Sequence, residues 1–391
     1  MDHRLRFVPR ASCALLALSC LAAQDDAYRA GELFERVAET IGRSYYDETF
    51  RTERWPELVA AYEPAARAAE DLDEERAVVD AMLARVPATH LALLSSATHS
   101  RLMAELARRT LPTFGFELEA HAGRFFVAAV LEGGPAEAAG VLRGDRVVRI
   151  DGEPTGASPR LDRSSDDAHL PDPPRHLLLG EEGDEIVLGV ERRPGAPLVE
   201  IAVRCAPYSA WAAAQASART FEVDGHRIGY VHYWYVHLGG VHRHLRDLLA
   251  REFAGCAAVV LDLRGRGGDG SAVEPLLRVV RDAARPVVAL VDRGTRSAKE
   301  VIAFRLREAR LATLVGERTA GAVIPATFRR VGKDDVLMYP SFTLGRYTDQ
   351  IDLVGVEPHV AAGDRLRFAA GDDPILAAGL REAARQAALL R

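Results

Sequence analysis

Ser297 follows an apolar run, Pro286-Val287-Val288-Ala289-Leu290-Val291-Asp292, and the turn Arg293-Gly294-Thr295-Arg296, and it opens a helical pattern. A serine at a helix N-terminus sits among backbone N–H groups and a dipole that favour negative charge. Locally this reads as a cap, because Glu300 three residues on completes a capping box. A nucleophilic serine would also need a base and an oxyanion hole from elsewhere in the chain. The run Arg264-Gly265-Arg266-Gly267-Gly268-Asp269-Gly270 follows the strand-like Ala257–Leu263 and could offer such a hole through its N–H groups. It also satisfies GxGxxG, the dinucleotide fingerprint, but Asp262-Leu263-Arg264 separates the apolar strand from the first glycine. A tight turn is the third reading of the same residues. His90, in Pro87-Ala88-Thr89-His90-Leu91, closes an amphipathic helical stretch and taken alone reads as a structural histidine. His232 and His237 are weaker base candidates, since the alternation over Tyr230–His237 suits ordinary strand positions.

The elements that must position these residues follow from periodicity. Apolar residues at helical spacing, such as Leu33, Val37 and Ile41 or Val79, Met82, Leu83 and Val86, predict helices from residue 26 to about 110. From Phe114 the pattern changes to short strand-like runs, Arg124–Val130 and Arg146–Ile150, then Glu185–Val190 and Val199–Cys205. Residues 152–176, rich in Pro, Asp, Ser and Arg, predict a long solvated loop. Beyond Arg227 strands and helices alternate, which predicts a parallel sheet covered by helices, and Pro374–Leu390 predicts a terminal helix.

Composition narrows the classes. The chain has 391 residues, 48% hydrophobic and 27% charged, which is ordinary globular composition. Fifty Lys and Arg against 56 Asp and Glu give a net charge of −6, with no general drive toward nucleic acid. There is no CxxC pair and no HExxH, so a zinc site has no sequence support, and serine chemistry of the kind weighed above would require no metal or cofactor. Arg4, Arg6 and Arg10 before the apolar Ala11–Ala23, then Gln24-Asp25-Asp26, match a secretory signal peptide over residues 1–23. Ser19-Cys20 is a poor lipoprotein box because Ala17 precedes it. Export to the periplasm or medium is therefore expected, with no transmembrane segment in the mature chain. The mature chain keeps Cys205 and Cys256.

Two resemblances sharpen these alternatives. Thr113-Phe114-Gly115-Phe116, then Gly133-Gly134-Pro135-Ala136-Glu137-Ala138-Ala139-Gly140, Gly144-Asp145 and Ile150-Asp151-Gly152, resembles a PDZ domain. That likeness implies that Phe114, Gly115 and Phe116 present N–H groups to a peptide's terminal carboxylate, the peptide adding as a strand beside the loop. The whole chain is similar to the S41 family of serine peptidases, which includes C-terminal processing peptidases and tricorn proteases. The segments that carry this are Tyr45-Tyr46-Asp47 and Trp55, Leu261-Asp262-Leu263-Arg264-Gly265-x-Gly267-Gly268, and Thr295-x-Ser297-Ala298-x-Glu300. Gly316-Glu317-Arg318-Thr319-Ala320-Gly321 and Gly355-Val356-Glu357-Pro358 follow in order.

The resemblance implies a nucleophile at Ser297 and a crotonase-like α/β core. The processing-peptidase branch has a lysine base about 25 residues after the serine, where this chain has Ala322. Lys299 is no substitute, because residues two apart on a helix do not face each other. The tricorn-like branch implies His90 as base, with Thr89 in place of a serine and Asp352 in place of a glutamate shortly before Gly355. Gly267 or Gly268 and Ala298 would supply the oxyanion hole. The expected organisation is a helical part at 24–110, a PDZ domain at 111–207 and a peptidase core at 208–391. The expected activity is proteolysis of protein or peptide substrates engaged by a free C-terminus. The other class of reading is a catalytically inactive, PDZ-bearing peptide-binding relative.

Overall fold

The computed structural model describes residues 28–162, 175–237 and 239–390; the expected signal peptide lies outside the described residues. The fold is mixed α/β, with a helical N-terminal region, a β-rich domain and a mostly parallel sheet sandwiched by helices. That sheet runs in the order 219–223, 226–232, 258–262, 287–291, 313–316 and 360–361. Its first pair is antiparallel and the others are parallel. Strands Ala258–Asp262 and Val287–Val291 are buried at every residue, as expected where helices cover both faces. Val259, Leu261, Ala289 and Val291 pack with Leu245, Leu276 and Ile302 from helices Val241–Ala250, Val273–Arg281 and Ala298–Glu308. The alternate residues Val260, Val288 and Leu290 meet Ile375, Leu380 and Ala383 of the terminal helix Pro374–Ala388. The period of two thus divides the core between two layers.

The β-rich domain carries a sheet ordered 175–176, 116–121, 124–130, 146–150, 185–191 and 199–204, with 153–154 paired to 146–150. Its core gathers Phe114, Phe116, Leu118, Val127, Val147, Ile186 and Val203. The N-terminal helices Glu32–Ser44, Trp55–Arg67 and Leu72–Leu83 close over Phe34, Val37, Trp55 and Met82. Asp71 caps the third helix, accepting from the backbone N–H of Asp73 and Glu74.

Two expectations need correction. The stretch to residue 110 is not wholly helical: Ala92–Ser95 is a strand, antiparallel to Asp335–Pro340, which in turn pairs with Ala326–Arg330. So short an apolar run has no readable period, and the strand's partner lies at least 240 residues away. The loop expected over 152–176 is not all loop either, since Arg175–His176 joins the sheet of the β-rich domain. Cys205 and Cys256 are buried free thiols in separate apolar clusters. Among the described residues, no helix is long and apolar enough to cross a membrane.

Candidate active site

Ser297 and the glycine-rich run sit at the carboxyl ends of adjacent parallel strands, Val287–Val291 and Ala258–Asp262, where open α/β sheets place their sites. Ser297 does precede the helix, but it caps nothing: its side chain makes no cap hydrogen bond. Its backbone stands at φ 57°, ψ −130°, a conformation that costs a non-glycine residue on the order of 1–3 kcal/mol. Gly345, which precedes helix Arg346–Ile351, takes the same geometry at φ 55°, ψ −126° with a residue that tolerates it. The strained turn at Ser297 is held by its own N–H donating to the Ala322 carbonyl at 2.7 Å.

Glu300 does not close a capping box. It is fully buried and turns away to accept from Thr319 Oγ1 and from the N–H groups of Gly321 and Ala322, each of the latter at 2.7 Å. Thr319 Oγ1 in turn accepts from the Val356 N–H at 2.7 Å. Helix Ala298–Glu308, the Gly316–Gly321 segment and the Gly355–Val356 turn are thereby tied beneath the serine. Burial pushes the Glu300 carboxyl up to about 7, against the three donors that favour its anion.

The glycine-rich run lies against the serine. A Cβ on Gly267 would fall 2.9 Å from Ser297 Cβ, and one on Gly268 would fall 2.4 Å from the Val236 carbonyl oxygen. Only glycine permits either approach. Val236 clamps the loop from outside, its N–H donating to Gly267 O at 3.1 Å and its carbonyl accepting from Asp269 N–H at 2.7 Å. Asp292 holds the near end through Gly265 N–H at 2.8 Å. Lys299, fully buried, donates from Nζ to the carbonyls of Trp234 and Arg264, both at 2.9 Å. Burial depresses its ammonium to about 7. Lys299 therefore braces the loop, a role that helix spacing alone did not suggest.

His90 stands in the turn after the third helix, with φ 55°, one residue before the apolar stretch that enters strand Ala92–Ser95. The preceding Thr89 is fully buried and donates from Oγ1 to Asp352 Oδ1 at 2.8 Å. Asp352 Oδ1 also accepts from the Val323 N–H at 3.1 Å, beside the position where a lysine base would stand. Ala322 itself is fully buried.

A cavity of about 1060 Å³ opens over these residues and is lined by His90, Ser297, Ala298, Gly267 and Gly268. Its far wall is the β-rich domain, including Phe116, Glu117 and Glu132. Of the expected site residues, Thr89 is fully buried and Asp352 half-buried, bonded to each other, while Phe114 and Gly115 are buried in the β-rich domain and Phe116 lines the cavity. His232 pairs with Glu132 at 3.1 Å. His237 is fully buried on the Glu105 carbonyl, and desolvation lowers it to about 4. Sequence reading missed the link between domains: Glu117 pairs with Arg266, which lies over the Tyr235 ring and donates to Tyr235 Oη at 2.6 Å. Glu119 faces Arg293 at 3.4 Å, in the turn leading to Ser297. The spacing of Glu117 and Glu119 on one strand was the available signal.

Comparison with known proteins agrees with this architecture. Residues 276–362 match the model of peptidase family S41, and residues 126–163 match a PDZ domain. A chloroplastic C-terminal processing peptidase of Tetradesmus obliquus is 26% identical, over 84% of this chain and 76% of its own. A putative tricorn protease homolog of Streptomyces coelicolor is also 26% identical, over 90% of this chain but 32% of its own. Among solved structures, the photosystem II D1 C-terminal processing protease superposes with a TM-score of 0.53 at 20% identity, over 89% of this chain and 98% of that one. The tricorn protease superposes at 0.52 and 14% identity, over 91% of this chain and 37% of that one. The chain is thus similar to serine-type peptidases of family S41 and carries a stretch that matches a PDZ domain.

Proposed function

We propose that the protein is an exported serine endopeptidase in which Ser297 is the nucleophile and His90 the general base. The observation that carries this reading is the strained, uncapped Ser297 set against Gly267 in a cavity that His90 also lines. Ser297 Oγ attacks the scissile carbonyl carbon while His90 takes the hydroxyl proton. The oxyanion is received by the N–H of Ala298 and that of Gly267 or Gly268; losing one such donor costs about 3–4 kcal/mol. His90 then gives its proton to the departing amine, and water repeats the sequence to release the acyl group. Asp352, positioned by Thr89 and the Val323 N–H, stabilises the imidazolium. In this reading the base comes from the helical region at 24–110, the nucleophile from the core at 208–391, and the substrate's carboxyl end is met at Phe114-Gly115-Phe116 in the domain at 111–207.

The test is digestion of an unstructured polypeptide with an apolar free C-terminus by the mature chain and by Ser297→Ala, read by mass spectrometry. Cleavage confined to the unsubstituted chain is expected. Equal cleavage by both would assign the nucleophile elsewhere. Export rests on residues 1–23, and recovery of a chain beginning near Gln24 from the cell exterior or periplasm is the expected result.

A further inference from the structure

A PDZ-type sheet takes a peptide by adding it to an open strand edge. In this chain that edge, strand Phe116–His121, is already covered. Arg175–His176 runs antiparallel to it, His176 opposite Leu118 and Arg175 opposite Glu119. From Arg175 to Leu178 the chain travels back along that strand toward Phe116 and Gly115. This is the direction a peptide takes when its carboxyl end points at the Phe114-Gly115-Phe116 loop. Leu178 is 4% exposed and packs in the cluster of Phe114, Phe116 and Leu118. Gly180 then passes so near that a Cβ there would stand 2.7 Å from Phe114 Cε2.

The outer edge of this segment is closed as well. Asp162 N–H donates to Leu177 O at 2.8 Å, and Leu179 N–H donates to Arg160 O at 2.7 Å. Among the described residues, a second peptide therefore finds neither edge of this segment bare. Charge favours this register: Arg175 pairs at 3.1 Å with Glu119, whose side chain is 1% exposed and is also approached by Arg293 and His121. A carboxylate that deep needs a cation beside it.

We propose that Arg175–Leu178 is a built-in ligand of the PDZ groove, and that it describes the peptides the groove accepts. Those peptides end in a free carboxylate on a leucine-like residue and carry Arg or Lys three positions upstream, facing Glu119. To bind, they displace the internal segment, so their apparent affinity is scaled down by the fraction of molecules in which it has left. The inference rests on the peptide-binding reading of Phe114-Gly115-Phe116, and none of it depends on Ser297 or His90.

The test uses the full chain with Ser297→Ala and a fluorescein-labelled peptide ending Arg-His-Leu-Leu, read by anisotropy. Arg175→Glu sets a like charge against Glu119 and loosens the segment while leaving Glu119 for the peptide. It should tighten binding at least tenfold. Amidating the peptide's terminus, or replacing its Arg by Glu, should weaken binding at least tenfold. In Leu118→Cys with His176→Cys, oxidation joins the paired strands and should abolish binding, and reduction of the same sample should restore it. Equal binding by oxidised and reduced forms, with no gain in Arg175→Glu, would overturn the built-in ligand and leave the PDZ reading standing. Absence of binding in every form, Arg175→Glu included, would overturn both.

Discussion

The PDZ-type domain draws its apolar cluster from one continuous stretch, Phe114 to Cys205. The candidate cleft instead collects Thr89 and His90, Gly267, Ser297 and Glu300, Ala322 and Asp352 from segments up to 263 residues apart. Their polar interiors differ in the same way. The cleft is fixed by buried ionisable groups with several partners each: Glu300 with three donors, Lys299 with two carbonyls, Arg264 with Asp262 and Asp373. The PDZ-type domain buries Glu117, Glu119, Asp145 and Glu191; Glu117 meets Arg266, and Glu119 meets Arg293 beside its own domain's Arg175, so two of the four reach toward the neighbouring core. A site assembled from distant segments needs directional, multiply bonded anchors, because apolar packing sets distances less tightly than hydrogen bonds set angles. A domain built from neighbouring strands can leave that task to its ladder.

Several substitutions would break or sharpen this contrast. The largest effect is expected for Asp352→Asn, which keeps the hydrogen bond to Thr89 but removes the charge that the proposed mechanism sets beside the imidazolium. It should lower kcat by roughly 10²–10⁴ with little change in thermal midpoint. An unaltered kcat would remove Asp352 from the mechanism. Glu300→Ala leaves Gly321 and Ala322 N–H groups buried without an acceptor and should cost about 3–5 kcal/mol in urea unfolding. A loss below about 1 kcal/mol would mean that the anchor is dispensable.

At the domain junction, Glu117→Gln should lower kcat/KM about tenfold through Arg266 and the adjoining Gly267, a modest displacement near the oxyanion. The unfolding midpoint should stay put, which separates alignment from stability. The smallest expected effect concerns His237. Burial holds its folded value at about 4, below the ordinary 6.5, so the unfolded chain binds a proton that the fold refuses. Its stabilising contribution is complete above pH 6.5 and is lost as pH falls from 6.5 through 4. Between pH 7 and 5.5 that loss is about 1 kcal/mol, and His237→Gln should flatten the slope.

Much of the peptidase sheet was legible because its strands are short apolar runs separated by amphipathic helices, the pattern of a parallel sheet buried on both faces. The PDZ turns were legible through glycines such as Gly133, Gly144 and Gly152, each at positive φ. The candidate site was legible only by resemblance. Local sequence made Ser297 a cap and Glu300 its partner, since the acceptors and donors that overrule this lie at Thr319, Gly321 and Ala322. Strand Ala92–Ser95 escaped because its pairing partner is remote. Arg175–His176 escaped because polar, Pro-rich surroundings hide a strand whose pairing depends on one buried glutamate.

The most direct test of the central claim is labelling of the mature protein with a fluorophosphonate, followed by peptide mapping, beside His90→Ala. We expect one adduct, on Ser297, formed rapidly in the unsubstituted chain and at least a thousandfold more slowly in His90→Ala. An adduct on another serine, or an unchanged rate without His90, would contradict the account.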